Sequence, residues 1–301
     1  MKIFYYRDPL GNFGDDLNPW MWPRLLPNSF DDDEAELFIG IGTILSTEVP
    51  TTPKKVVMGA GTGYGASPQL DATWDVRFVR GPVTAGILGL SDQQWITDPA
   101  ALLFRVPNPG VAAPQPAFIP HHRSTRCMDW GTVCGLAGIK YIDPRARPTQ
   151  VLRQIQGCSL VLAEAMHGAI LADAQRIPWI PVSIYPQFNQ MKWRDWFRSL
   201  GLREDIPSLS AEYDGTRDKF SSRLKTGLRW AIRNRSPRIS MRLRNDRREE
   251  ISPHAQERMA EALSGVLKEE PRLSETVVLE RAVHRMEEEL FRFGGTLHTL
   301  A

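Results

Sequence analysis

The chain has 301 residues, 42% apolar and 24% charged, with a formal net charge of +2. Its length allows two domains with a core each, and its composition is that of an ordinary globular protein. No run approaches the ~18 apolar residues of a membrane span. The arginine and aspartate within Met1–Pro9 interrupt any signal-peptide core, and Cys127, Cys134 and Cys158 lack metal-ligand spacing or an even count. A cytoplasmic protein with reduced structural thiols is expected.

The charge is unevenly spread. Residues 217–248 hold 12 Lys and Arg against 2 Asp, an excess of 10 that leaves −8 on the rest of a chain whose total is +2. A mildly acidic body with one strongly basic segment predicts an anionic surface as that segment's partner.

In chain order, Lys2–Tyr6 reads as a strand feeding the polar loop Gly11-Asn12-Phe13-Gly14-Asp15-Asp16. Asp15 and Asp16 read as one helix cap and one solvated carboxylate rather than a metal pair, since no third ligand lies nearby. Leu37–Ile41 predicts a second strand ending in Gly40-Ile41-Gly42-Thr43. Lys55–Met58 predicts a third, ending in Gly59-Ala60-Gly61-Thr62-Gly63-Tyr64-Gly65. Glycine loops after buried strands imply close approach of backbone to a ligand, or crowding between elements. The second loop is no dinucleotide fingerprint, because Tyr64 stands where G-x-G-x-x-G counted from Gly59 needs glycine.

Val76–Val79 predicts a strand leading to Arg80, with Pro82 at a helix start and Gly89 past its end. Arg80 there suits bidentate binding of phosphate or carboxylate, or a surface salt bridge. Trp95–Thr97 adds a strand before Asp98, and the alternation of strands and helices predicts an α/β domain with a parallel sheet over residues 1–110. Pro107–Pro116, with four prolines in ten residues, excludes helix and central strand and marks the domain boundary.

A second α/β domain is expected over residues 117–210. Its first strand, Ala117–Pro120, ends at His121-His122-Arg123, which reads as a metal pair or as a basic anion pocket. Thr149–Ile155 predicts a helix. Leu160–Ala163 then predicts a strand, broken by a kink carrying His167 and Gly168 before a helix that runs to Asp173, and Trp179–Ile184 a buried strand. Ligands of open α/β sheets sit outside the carboxyl ends of strands, so His167 marks a candidate site beside a helix N-terminus. The alternative is a hydrogen-bonded histidine at a strand end. Tyr185, Phe188, Trp193 and Trp196, beside Lys192 and Arg194, suit carbohydrate or a packed cover over the site.

Residues 211–301 are expected to form a basic helical tail. Phe220, Leu224, Leu228, Ala231 and Ile232 share a helical face ringed by Lys219, Arg223, Lys225, Arg229 and Arg233, the pattern of an interfacial helix on an anionic membrane. Nucleic acid is not expected as a partner, because no nucleic-acid motif accompanies the charge. Further amphipathic helices are expected from Ser252-Pro253 to about Lys268 and from Ser274 to about Phe293, packed on the body or on a partner.

Six of these pieces, in order over residues 1–200, resemble the polysaccharide pyruvyl transferase family. They are Gly11–Asp16, Gly40–Leu45, Gly59–Gly63, Val79–Thr84, Asp98–Leu103 and the Glu164–Gly168 stretch with its Met-His pair. The resemblance implies two Rossmann-like domains of glycosyltransferase-B type. It implies transfer of a pyruvyl group from phosphoenolpyruvate onto two sugar hydroxyls as a cyclic ketal, without metal or organic cofactor. The acceptor would be an oligosaccharide of an exopolysaccharide repeat unit carried on a lipid, at the inner face of the cytoplasmic membrane.

Within that frame His167 supplies a proton to the enol methylene, and Asp15 or Glu164 stabilises positive charge at C2. Arg80, Asn12, Gly42, Gly61, His121, His122 and Arg123 are the expected substrate contacts. Many family members carry Arg-Leu-His where this chain has Ala165-Met166-His167. The share of anion binding held by that arginine then falls to Arg80, His122 or Arg123. A glycosyltransferase using a nucleotide sugar, or a membrane-docked scaffold, are the competing expectations.

Overall fold

The computed structural model describes residues 1–209 and 252–296. The basic segment 217–248, with its expected interfacial helix, lies outside the described residues. The first half contains β1 (Lys2–Ile3), α1 (Phe13–Leu25), β2 (Glu36–Ile39), β3 (Lys54–Met58), β4 (Trp74–Phe78) and α2 (Pro82–Leu88). Its four strands form a parallel sheet in the order β1-β2-β3-β4. The second half contains β5 (Gln115–Ile119), α3 (Trp130–Leu136), β6 (Lys140–Tyr141), α4 (Pro148–Gln156), β7 (Cys158–Ala163), α5 (Met166–Ala174) and β8 (Trp179–Pro181). This second parallel sheet has the order β6-β5-β7-β8. The α/β class and the parallel sheets expected from the sequence are both present.

Period-two alternation sorts the strand residues between cores. Val56 and Met58, with Ala117, Ile119, Val161 and Ala163 of the other sheet, join one large apolar cluster that includes residues of α1, α5 and α6 (Gln190–Ser199). Val57 and Ile39 face a smaller cluster beyond the first sheet, and Phe118 and Leu162 one beyond the second. The central core is thus continuous between the two halves. Trp193 and Trp196 are fully enclosed, packing on Trp179 and Phe197, so for these two rings the packed cover is what forms.

Three local features depart from the sequence reading. Helix α1 forms in spite of Pro19 and Pro23. A proline at 19 leaves the carbonyl of Asp15 without its helical donor, and the Asn18 side-chain amide takes that place at 3.0 Å. Strand β5 begins inside the proline-rich stretch, with Pro116 at a register irregularity, one of the few places where a sheet tolerates proline. Trp95–Thr97 forms no named strand, only an isolated parallel bridge between Val79 and Trp95.

The tail helices α7 (Pro253–Val266) and α8 (Thr276–Arg292) pack on the body, α7 against α3 and α8 against the 3-10 helix Pro99–Arg105. Arg105 binds Glu287 through two hydrogen bonds of 2.6 and 3.0 Å. Between the two helices, Arg272 exchanges backbone hydrogen bonds with Trp179 of β8. The tail therefore ties the second sheet to the first. Among the described residues no helix is long and apolar enough to cross a membrane.

Candidate active site

The carboxyl ends of the two sheets meet where α1 of the first half touches α5 of the second. Asn18 fixes α1 to the end of β2, its side chain donating to the Ile41 carbonyl (2.9 Å) and accepting from the Ile41 amide (2.8 Å). The Phe13 amide, at the start of α1, donates to the Pro144 carbonyl across the halves at 2.9 Å. These anchors press the first turn of α1 onto His167, which opens α5. A β-carbon on Gly14 would lie 2.1 Å from His167 Nδ1, and Phe13 meets the imidazole edge-on at 6.4 Å.

Two carboxylates attend that histidine. Asp15 is buried rather than solvated, which corrects the reading of it as a surface carboxylate or cap. Burial pushes its pKa up to about 6; the charges of His167 and Lys192 oppose the rise, Asp16 adds to it, and a hydrogen bond from the Asn12 side chain opposes it. Gly42, at φ +128°, passes beside Asp15, whose Oδ1 would lie 3.4 Å from a β-carbon there. Asn12, Asp15, Gly42 and His167 are therefore brought together. On the far side of the ring, Asp98 Oδ2 stands 3.6 Å from His167 Nε2.

A basic group adjoins this centre. His121 and His122 follow β5, with their rings 4.3 Å apart. Burial first, then the charges of Lys192, His122 and Arg123, hold the pKa of His121 well below its ordinary value. Burial brings His122 down to about 4, against the pull of Asp8 at 3.5 Å from its Nε2 and with Arg123, Lys192 and Arg126 adding to the fall. Lys192 reaches this cluster from α6. With Tyr64, His121, Tyr185, Gln187, Phe188 and Asn189 it lines a narrow hollow between the halves. Arg123 and Lys192, beside two imidazoles that burial keeps neutral, form a place that an anion would relieve.

Glu164 lies behind this group, fully enclosed. Its oxygens accept from the His121 amide (2.8 Å) and the Tyr185 amide (2.7 Å), so it joins the turn after β5 to the turn after β8. Burial raises its pKa against the pull of those hydrogen bonds. Arg80 and Gly61 lie one layer below the cleft. Arg80 is fully buried, and its Nε donates to Asp195 Oδ2 of α6 at 3.0 Å. Its Nη1 donates to Thr43 Oγ1 at 2.7 Å, and Gly61 leaves room for the guanidinium, since a β-carbon there would lie 2.3 Å from Nη2. The Thr84 amide and hydroxyl also bond Asp195, at 2.9 and 2.7 Å. Among the described residues no three of His, Cys, Asp and Glu are grouped to hold a metal ion.

Sequence reasoning missed Asp98 as a member of the site and Asp195 as the partner of Arg80, and it named Lys192 only as a charge beside the aromatic rings. Asp98 carried a local signal, an aspartate before proline at a strand end. Asp195 carried none, because its partner is distant in the chain.

The model of the polysaccharide pyruvyl transferase family matches residues 4–184. The chain is 41% identical over 207 residues to the succinoglycan biosynthesis protein ExoV of Rhizobium meliloti (strain 1021), an alignment covering 67% of this chain and 66% of that relative. The chain thus spans just under two thirds of the curated relative's length. No solved structure matches it. With the family pattern running through more than half of its residues, from the first strand to the segment after β8, the chain belongs to the polysaccharide pyruvyl transferase family.

Proposed function

We propose that this protein transfers a pyruvyl group from phosphoenolpyruvate to two hydroxyls of one sugar in a lipid-linked exopolysaccharide repeat unit, releasing phosphate and leaving a cyclic ketal. The observation that carries this reading is the His167 imidazole set between Asp15 and Asp98, beside the basic side chains of Arg123 and Lys192 and the neutral imidazoles of His121 and His122. The convergence of two parallel sheets on this cleft supports a glycosyltransferase-B-like arrangement of domains 1–110 and 117–210.

The donor carries a phosphate and a carboxylate, and Arg123 and Lys192 with the N-terminal turn of α5 offer compensation for both. In the first addition a sugar hydroxyl bonds to C2 while the methylene gains a proton and becomes methyl. In the second, the other hydroxyl bonds to C2 as the bond from C2 to the phosphate oxygen breaks. Of the two hydroxyl protons one ends on the methyl group and one on phosphate, so the reaction balances without a co-reactant. His167 as imidazolium delivers the methylene proton. Asp15, with a pKa of about 6, accepts a hydroxyl proton near neutral pH and, ionised, steadies positive charge at C2. Asn12 orients Asp15, while Gly42 and Gly61 keep the loop backbones close. Glu164 acts from behind on the turn that carries His121. The burial of Arg80 on Asp195 supports a part in seating α6, and so Lys192, rather than direct contact with the donor.

Purified protein incubated with phosphoenolpyruvate and a lipid-linked oligosaccharide lacking the ketal should release phosphate in step with a new ketal methyl signal by NMR. Turnover of a nucleotide sugar instead would make the protein a glycosyltransferase. No turnover, with full cellular function kept by His167→Ala, would make it a scaffold. We further assign residues 217–248 to anionic lipid, each basic residue contributing about 1 kcal/mol near such a surface. Binding to neutral and anionic vesicles alike, or to neither, would remove that role.

A further inference from the structure

The geometry points to Asp98 as a positioning residue for His167: we infer that its carboxylate holds the ring proton on Nε2, leaving Nδ1 as the nitrogen that exchanges a proton. The inference rests on the reading of His167 as the proton-transfer group and goes beyond it, because it fixes which nitrogen does the work and what holds it so.

Asp98 is fully buried and caps the 3-10 helix Pro99–Arg105, its Oδ1 accepting from the Ala100 amide at 3.0 Å. That bond occupies one carboxylate oxygen and fixes the plane of the other. Oδ2 is enclosed without a hydrogen-bond partner, and so is His167 Nε2, 3.6 Å away. Two enclosed polar atoms, each lacking a partner and facing one another, are satisfied together when a proton sits between them. A slight closing of the gap suffices, and closure around substrate would provide it.

The placement of Asp98 is built into the sequence. Gly59 ends β3 at φ +97°, and a β-carbon there would lie 2.1 Å from Pro99 Cγ, so the glycine lets Pro99 sit against the strand end. One residue earlier, the Thr97 and Ser199 hydroxyls meet at 2.8 Å, tying the approach to Asp98 to the last turn of α6. From α1, Gly14 and Phe13 close the other side of the ring. The charges around His167 are Asp98 before the 3-10 helix and Asp15 on α1, with Lys192 of α6 beyond Asp15.

A carboxylate on Nε2 does two things for the reaction. It selects the neutral tautomer protonated on Nε2, so that Nδ1 is the basic atom. It also holds the ring in one orientation while a proton passes through Nδ1 to the methylene.

The test is nitrogen NMR of the full-length protein with labelled histidine, assigning His167 by its loss in His167→Gln. The wild type should show the Nε2-protonated neutral form. In Asp98→Asn that preference should be lost. The phosphoenolpyruvate kcat should fall about 100-fold, with KM little changed. Asp98→Ser, which keeps a cap for the Ala100 amide but removes the facing oxygen, should behave alike and guards against misfolding of Asp98→Asn. The same His167 tautomer in wild type and both variants would overturn the inference. Coupled His167 signals in a protein that transfers no pyruvyl group would uphold it and sink the proposed function instead.

Discussion

Arg80 and Asp195, 115 residues apart in the chain, form an ion pair with both side chains essentially inaccessible to solvent and Nε 3.0 Å from Oδ2. The pair stitches the end of β4 to α6, and Thr84 completes the coordination of Asp195. Arg80→Ala leaves a buried, uncompensated aspartate and should cost about 3 to 5 kcal/mol of stability. Arg80→Lys should recover only part of that, because lysine cannot reach Asp195, Thr43 and the Thr62 carbonyl together as the guanidinium does. Urea unfolding measures both. An Arg80→Ala protein of unchanged stability that has lost only its affinity for phosphoenolpyruvate would return Arg80 to the donor.

Asp15 carries a cost that its position in the cleft explains. Its carboxyl titrates near 3.8 when unfolded and at about 6 when folded. The unfolded chain therefore gives up its proton first as pH rises. No penalty exists below pH 3.8; it grows between there and about pH 6 and is complete above that. About two units correspond to about 3 kcal/mol. Asp15→Asn should raise stability by up to that amount at pH 7.5 and by little at pH 4, while lowering kcat by about 100-fold or more. Thermal unfolding at the two pH values checks the sign: stabilisation greater at pH 4 than at pH 7.5 would contradict the assigned environment.

The part of the site legible in the sequence is the part specified locally. The apolar run of β7 and the helix start that follows it both lie within a few residues of His167, so strand end and helix N-terminus were readable together. The basic turn His121–Arg123 was readable for the same reason. Helix α1 went unassigned in the sequence, and what offsets Pro19 within it is the rotamer of Asn18, not a pattern of residue types. The burial of Asp15 was hidden with it, because nothing in Asp15-Asp16 says which carboxylate faces inward. For Arg80 the sequence left anion binding and a surface salt bridge both open, and the ion pair that forms is buried, because its partner arrives from α6.

Neutral His121 and His122 should respond to an anion placed among them. A bound anion raises their pKa values, so binding takes up protons and tightens as pH falls from neutrality toward the free His122 value of about 4. Sulfate, which does not titrate in this range, is the probe, with calorimetry in two buffers of different ionisation heat reporting the proton count. Uptake should vanish in His121→Gln with His122→Gln. Lys192→Met should weaken sulfate at every pH by about tenfold, in line with loss of a charge-assisted contact. Binding independent of pH and of Lys192 would place the anion elsewhere.

The closeness of Gly14 to His167 gives the sharpest test of the catalytic geometry. A methyl group at residue 14 would lie 2.1 Å from Nδ1 and 2.6 Å from Cγ of the ring. The ring has little room to retreat, with the Asp98 carboxylate 3.6 Å beyond Nε2 and Phe13 against its edge. Nor is α1 free to withdraw, being held through Asn18 to Ile41 and through the Phe13 amide to Pro144. Gly14→Ala must therefore displace His167 from its place between the two carboxylates. We expect kcat to fall about 100-fold, as for a misplacement near 1 Å, with an overpacking cost of about 1 to 3 kcal/mol. Gly86→Ala, inside α2 with open space around it, is the control and should keep activity while gaining about 0.5 to 1 kcal/mol. If Gly14→Ala turns over phosphoenolpyruvate as the wild type does, His167 does not work from the position seen here.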